Sequence, residues 1–182
     1  GVLGATIHQD FQGAGLSFLG VTALLEKVGR YAAPVPVLET IVTGALPIQE
    51  FGTEDQKAEF LPKIAQGELI ATTALIASDE VTVEENRIRG SVSFVSYGLE
   101  ADIFLLPTAA GVFIVRRSET GVSIEPRETT TGYSQAALTM NSVDARQLGT
   151  VSSEDFADWL SLRIDSATVS YTHLRAHETH EN

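Results

Sequence analysis

The residues best suited to hold a metal sit near the C-terminus: His173, His177 and His180. Spacings of four and three put all three imidazoles on one face of a helix, and three imidazoles can hold zinc while leaving a fourth position open. Glu154, Asp155 and Asp158 bring carboxylates together a little earlier, in a stretch whose apolar residues have helical spacing. A solvated helix face accounts for them. His8 stands alone near the N-terminus. Cysteine is absent, which removes thiolate nucleophiles, thiolate zinc sites and disulfide scaffolds together.

The surroundings of the histidines argue against a site. No motif fixes an acidic partner beside them, and the helical pattern fades at Ser166. The string Val169 to Thr179, VSYTHLRAHET, resembles the conceptual translation of a transposase sequencing adapter. Residues 169–182 are therefore set apart as a non-native tail, and no metal is expected. The chain of 182 residues carries 12 Lys+Arg against 24 Asp+Glu, a formal net charge of −12. The tail holds one Arg and two Glu, so −11 remains without it. A balance this acidic, with no basic run, excludes a phosphate-tracking nucleic-acid binder and a partner of anionic lipid. No apolar stretch nears the roughly 20 residues that span a bilayer. Gly1-Val2-Leu3-Gly4 has neither the basic nor the apolar segment of a signal peptide. It also lacks Met, so the chain is expected to begin inside a longer one, in the cytoplasm.

Residues 1–68 read as helical. Ser17 can cap a helix bearing Phe18, Val21, Leu24, Leu25 and Val28 at three- and four-residue steps, stopped by Gly29 or by Pro34-x-Pro36. A second helix is expected from Val37 to Glu50, distorted near its end by Pro47. Gly52 follows as a cap, and Thr53 with Gln56 has capping-box spacing for a third helix ending at Gly67. From about Leu69 the period shifts to two. Val81–Val83, Ile88–Val95, Ile103–Leu106, Val112–Val115, Val122–Ile124 and Ala137–Val143 are short β-rich runs, and Thr108-Ala-Ala-Gly111 separates two of them at hairpin distance. Such spacing suggests a small antiparallel barrel or sandwich. A last amphipathic piece, Ser153 to about Ile164, puts Phe156, Leu160 and Ile164 on one face with Trp159 and is expected to end before it can bury itself. The fold class is α+β, divided into residues 1–68 (helical), 69–150 (β), 151–168 (the start of a second helical region) and the tail.

Four segments then occur in order: Phe11-Gln-Gly-Ala-Gly-Leu-Ser17, Leu25-Glu-Lys-Val-Gly-Arg-Tyr-Ala-Ala-Pro-Val-Pro36, Phe51-Gly-Thr-Glu-Asp-Gln-Lys57 and Phe60-Leu-Pro-Lys-Ile-Ala-Gln-Gly-Glu68. Their order and spacing resemble the N-terminal and middle domains of the acyl-CoA dehydrogenase family. There they correspond to a glycine-rich turn, an "EE-x-GR" helix end and a "G-x-x-x-Q-K-x-x-x-LP-x-x-x-x-GE" stretch leading into the β domain. As residues they read as scaffold: Glu26 and Arg30 form a helical i,i+4 pair, Gly52 caps, and Pro62 takes a permissive first turn.

The resemblance implies FAD, held by two segments. The first, "A-L-T-E-P-x-A-G-S-D" in the family, is Ala74-Leu75-Ile76-Ala77-Ser78-Asp79 here, with Ile76 where a threonine hydroxyl is expected, Ala77 for the glutamate, and Ser78 toward the acyl-CoA. The second, "N-G-T-K-x-W-I-T-N-G", is Arg89 to Gly98, with Phe94 for the tryptophan, Val95 for the isoleucine, Ser96 keeping the hydroxyl and Val92 for the lysine. Ala101-Asp102-Ile103-Phe104 resembles the "AD-x-F" strand opening, and Tyr133 or Ser134 stands where an arginine is usual. The implied cofactor-binding residues are Leu75, Ile76, Phe94, Val95 and Ser96, and the implied substrate-binding residue is Ser78. The implied chemistry is α,β-dehydrogenation of an acyl-CoA thioester. Its base belongs to a C-terminal helical domain, so no catalytic residue is assigned and this piece alone is expected to be inactive. The implied partners are acyl-CoA, an electron-transfer acceptor, and further subunits of a homo- or hetero-oligomer. A second reading is a degenerate subunit with weakened FAD binding that serves as structural partner in a heteromeric dehydrogenase of fatty acyl or steroid side chains.

Overall fold

The structure, a computed structural model, describes residues 2–17, 20, 23, 36–75, 81–129 and 133–178, the last stretch by backbone alone from residue 166. The helix expected after Ser17 and the Glu26–Arg30 pair lie outside the described residues. Short 3-10 turns, Val2–Gly4 and Gln9–Phe11, precede a π-helical segment, Glu39–Ala45, that runs into helix α1, Leu46–Phe51. Helix α2 spans Glu54–Gln66. Strands follow at Ala71–Thr73 (β1), Thr82–Glu84 (β2), Arg87–Ser96 (β3), Ile103–Thr108 (β4), Gly111–Arg116 (β5), Val122–Arg127 (β6), Gln135–Asp144 (β7) and Arg146–Gln147 (β8). Helix α3 is Ser153–Glu178. Among the described residues, no helix is long and apolar enough to cross a membrane.

The strands make two four-stranded sheets, β1-β4-β5-β8 and β2-β3-β7-β6, with no closed barrel. One pairing departs from the antiparallel expectation: β1 runs parallel to β4, Ala71 opposite Ile103. The hairpin at residues 108–111 forms as expected, with Thr108 paired to Gly111. Thr108 Oγ1 donates to the Gly111 carbonyl at 2.9 Å and accepts from the Ala110 amide at 3.2 Å. Along β4, Ile103 and Leu105 enter one core while Phe104 and Leu106 enter another; along β5, Val112 and Ile114 alternate likewise with Phe113 and Val115. Both faces of this sheet are therefore covered, which is why β4 and β5 are apolar at nearly every position. The first core lies under the helices, with Ile48, Phe60, Leu61 and Ile64. The second lies between the sheets, with Ile88, Val92, Val95, Leu138, Met140 and Val143.

Three local features differ from the sequence expectation. Pro47 distorts the helix ahead of itself rather than at its end. Lacking an N–H, it leaves the Thr43 carbonyl open, the Leu46 amide bonds to Ile41 at π spacing, and the Thr73 hydroxyl donates to the freed carbonyl. Here helix and strand come close. A β-carbon at Gly44 would lie 2.6 Å from Ala71 Cβ and 2.9 Å from the Ala71 carbonyl oxygen, so glycine alone permits the approach. Pro62 stands inside α2, not in its first turn. The carbonyl it leaves open is that of Ala58, on the exposed side of the helix, where water can serve it. Finally, α3 neither ends near Ile164 nor stays unburied. It continues to Glu178, with Phe156 and Leu160 1% and 3% exposed in the first core and Trp159 and Ile164 packed beside them.

The capping box forms as expected. Thr53 Oγ1 accepts from the Gln56 amide, and Gln56 Oε1 accepts from the Thr53 amide at 2.9 Å. Gly52 does sit at the end of α1, but in an extended conformation; what requires glycine is space, since a β-carbon would lie 2.4 Å from the Ile48 carbonyl. Gln56 also reaches the far end of the β region, donating to the Gln147 carbonyl at 2.7 Å and accepting from the Gly149 amide at 3.2 Å. Nearby, Glu59 binds both Arg116 and Arg146. Their guanidinium groups lie 5.1 and 5.4 Å from the Phe60 ring centre.

Candidate flavin site at two strand ends

Two strand ends are tied together where the two sheets adjoin. Thr72 Oγ1, on β1, donates to the Ser96 carbonyl at the end of β3 at 2.9 Å. The next residue, Thr73, points the other way, to the Thr43 carbonyl. Successive side chains of a strand face opposite sides, so adjacent threonines anchor β1 to the helix on one side and to β3 on the other. The Ala74 amide continues the ladder to Leu105 at 3.0 Å, and Leu75 then emerges 53% exposed.

On β3 a bulge decides which side chains are presented. Val92 pairs with Leu138 and Val95 with Ala136, so two residues of β3, Ser93 and Phe94, face one of β7, Ala137. Strict alternation from Val92 would drive Phe94 into the core. The extra residue resets the alternation. Val95 is fully buried between the sheets, and Phe94 is left 49% exposed. Ser96 follows, half-buried and directly opposite Gln135, whose Nε2 donates to Ser96 Oγ at 2.8 Å. Tyr97 turns the chain away in a left-handed conformation, φ 51°, its amide bonded to the Ser134 carbonyl at 2.9 Å.

Two acids lie close to this turn. The side chain of Ser134 donates to Glu100 at 2.8 Å. Burial raises the pKa of Glu39, on the π-helical segment, above the usual carboxylate range, partly offset by a backbone hydrogen bond. Burial also raises that of Tyr97, as do, more weakly, the charges of Glu39, Tyr133 and Glu100. A raised carboxylate pKa means the fold favours the neutral acid, a stability contribution fully present below the ordinary carboxylate pKa and lost as pH rises through the raised value. The variant Glu39→Gln is therefore expected to melt above the parent at pH 7.5, with the gain shrinking toward zero as pH falls through the carboxylate range. Thermal melts across that range check it, and a gain independent of pH would contradict the assignment.

Leu75 follows Thr72 by three residues and Phe94 precedes Ser96 by two, so both lie close along their strands to the Thr72–Ser96 tie. Val95 is adjacent, but its side chain faces the core, so only its main chain is presented. Ile76 and Ser78 lie outside the described residues. Ser134 is engaged with Glu100 and Tyr133 is 62% exposed, so neither brings the cation that an arginine would. Asp102 of the Ala-Asp-Ile-Phe opening is structural, accepting from the Ile70 amide at 2.8 Å. The side chains of His173 and His177 are not described and His180 lies outside the described residues; among the described residues, no cluster of His, Asp or Glu is arranged for a metal. Sequence reasoning passed over Thr72, Gln135 and Glu39. The register opposite Ser96 would have pointed to Gln135, but register is set by the bulge. A half-buried glutamate is visible only once its helix has a phase.

The profile of the acyl-CoA dehydrogenase N-terminal domain matches residues 1–68. Among curated proteins, the chain is 28% identical over 149 residues to the acyl-CoA dehydrogenase FadE28 of Mycobacterium tuberculosis, covering 79% of this chain and 44% of that one. It is 29% identical over 171 residues to FadE27 of the same organism, covering 88% and 46%. The chain thus spans about half the length of these relatives. Among solved structures, the Tcur3481-Tcur3483 steroid ACAD aligns with a TM-score of 0.76 at 31% identity, over 93% of this chain and 49% of that one. The ChsE4-ChsE5 complex of M. tuberculosis aligns with a TM-score of 0.80 at 26% identity, over 93% and 50%. Its sequence segments, its two sheets under a helical layer and these relatives agree: the chain belongs to the acyl-CoA dehydrogenase family.

Proposed function

We propose that this chain supplies the flavin-facing part of an FAD-dependent acyl-CoA dehydrogenase acting by α,β-dehydrogenation of an acyl-CoA thioester. The observation that supports the reading is the tie between β1 and β3, with an exposed aliphatic residue three positions beyond it on one strand and an exposed aromatic ring and a hydroxyl beside it on the other. That donor set fits a flavin. Leu75 and Phe94 offer apolar surface to a ring system. The Ser96 hydroxyl has an acceptor site filled by Gln135 and, among the described residues, no acceptor taking its proton, so it can donate to the ring edge. We assign Leu75, Ile76, Phe94, Val95 and Ser96 to the flavin, Val95 through its main chain, and Ser78 to the acyl-CoA. Flavin, when bound, supplies the hydride acceptor of the reaction. The part of this chain is to bind and orient. No residue in it is assigned as the base, and we keep the division into a helical part up to residue 68 and a β part from 69 to 150. Electrons would pass on to an electron-transfer acceptor.

A second reading draws on the relatives whose names describe two-component assemblies, ChsE4-ChsE5 and Tcur3481-Tcur3483. In it the chain is a subunit of a heteromeric dehydrogenase with weakened flavin binding. Ile76 and Ala77 stand in its favour, since a hydrocarbon gives a flavin acceptor no donor. The visible spectrum of the purified protein after gel filtration separates the two. Stoichiometric yellow flavin is expected. A colourless protein that gains flavin only with a second subunit would favour the structural role, and one that takes up no flavin under either condition would overturn the flavin assignment.

A further inference from the structure

We infer that Gln135 is a positioning residue for the flavin, holding the Ser96 hydroxyl so that its proton points out of the sheet toward the ring. The inference rests on the flavin reading above. Ser96 and Gln135 are direct partners at the end of the β3–β7 ladder, so their side chains leave the same face. Gln135 Nε2 donates to Ser96 Oγ at 2.8 Å. A serine hydroxyl has one proton and two acceptor sites, and an otherwise unrestrained rotor. With one acceptor site taken by an amide N–H, the hydroxyl is left to donate elsewhere, and among the described residues nothing receives that proton. The Ser96 carbonyl is held separately by Thr72, so one strand fixes the main chain of Ser96 and another its side chain. Flavin edges are rich in nitrogen and carbonyl acceptors, and a donor already aimed loses less freedom on binding than a free rotor.

The residue type matters. A carboxylate in place of the Gln135 amide would accept from Ser96 instead of donating to it, drawing the proton back into the sheet. The test is FAD titration of the full chain, read by quenching of flavin fluorescence and by the visible band of the bound flavin. Gln135→Glu, Ser96→Ala and the double variant are compared, with Gln135→Met as a neutral form that removes the donor without adding charge. Gln135→Glu and Ser96→Ala are each expected to weaken FAD binding by about tenfold, the loss of one hydrogen bond of about 1.4 kcal/mol. Both should shift the visible band in the same sense. Gln135→Met should weaken binding by a smaller factor, its hydroxyl being unaimed rather than captured. Because Gln135 acts through Ser96, the double variant should bind no more weakly than Ser96→Ala alone. If both Gln135 variants bind FAD like the parent, or if the losses multiply in the double variant, the inference is overturned and the flavin reading stands. If the parent chain, with any second subunit present, binds no FAD, both are overturned.

Discussion

Phe60→Ala is expected to lower the stability of the fold by about 4 kcal/mol, in the range for truncating a buried aromatic ring. Phe60 has no exposed surface and sits in the first core with Ile48, Leu61 and Ile64 from the helices and Ile103 and Ile114 from the sheet. Its loss therefore opens a cavity between helix and sheet. It also removes the ring on which Arg116 and Arg146 rest, leaving the two cations, among the described residues, to their ion pairs with Glu59. Phe60→Leu keeps most of the volume and should cost appreciably less. Urea unfolding of the three proteins measures this. A Phe60→Ala cost under about 1 kcal/mol would mean that α2 does not pack as described, since even Ile→Val costs that much in a tight core.

Gln56→Ala should have the second largest effect, about 3 kcal/mol, and for a different reason. The side chain is 6% exposed and makes three bonds to backbone groups: the Thr53 and Gly149 amides and the Gln147 carbonyl. Alanine leaves all three without their partner, and each part-buried group so orphaned costs on the order of 1 kcal/mol. Thr53→Ala removes only the reciprocal half of the capping box and should cost about 1 kcal/mol. The contrast is the diagnostic. If the two variants are equally destabilised, Gln56 is only a cap; if Gln56→Ala is much the worse, it also joins α2 to the end of the β region. Hydrogen exchange at the Gly149 amide gives a second readout, with protection lost in Gln56→Ala and kept in Thr53→Ala.

What the residues reveal in advance follows from how locally each feature is determined. The Thr108–Gly111 hairpin, the Thr53–Gln56 box and the apolar runs of β4 and β5 are legible because turn chemistry, capping and burial all act within a few residues. Strand β1 is not, since three residues carry no period and its parallel partner lies across an intervening hairpin. The position of Phe94 depends on a one-residue bulge whose cause is the match of β3 to β7. No property of Phe94 itself reports it. The apolar stripe of Phe156 and Leu160 is legible, but its burial is not, because the surface that receives it is built jointly by strands and helices. At the candidate site the types were legible and the supports were not. Ser96 and Phe94 could be named from their segment, whereas Thr72 and Gln135 act only because folding sets them against Ser96.

The π-helical segment has a consequence for helical phase. A π turn is what an α-helix becomes when one residue is added, and each residue of an α-helix turns the chain by about 100°. Removing one residue between Glu39 and Ala45 would restore regular α geometry and rotate everything before the deletion by about that angle relative to α1. Glu39 would swing away from Tyr97. The side chains that the first half of this helix presents to the strand ends are thus indexed by a single residue of length.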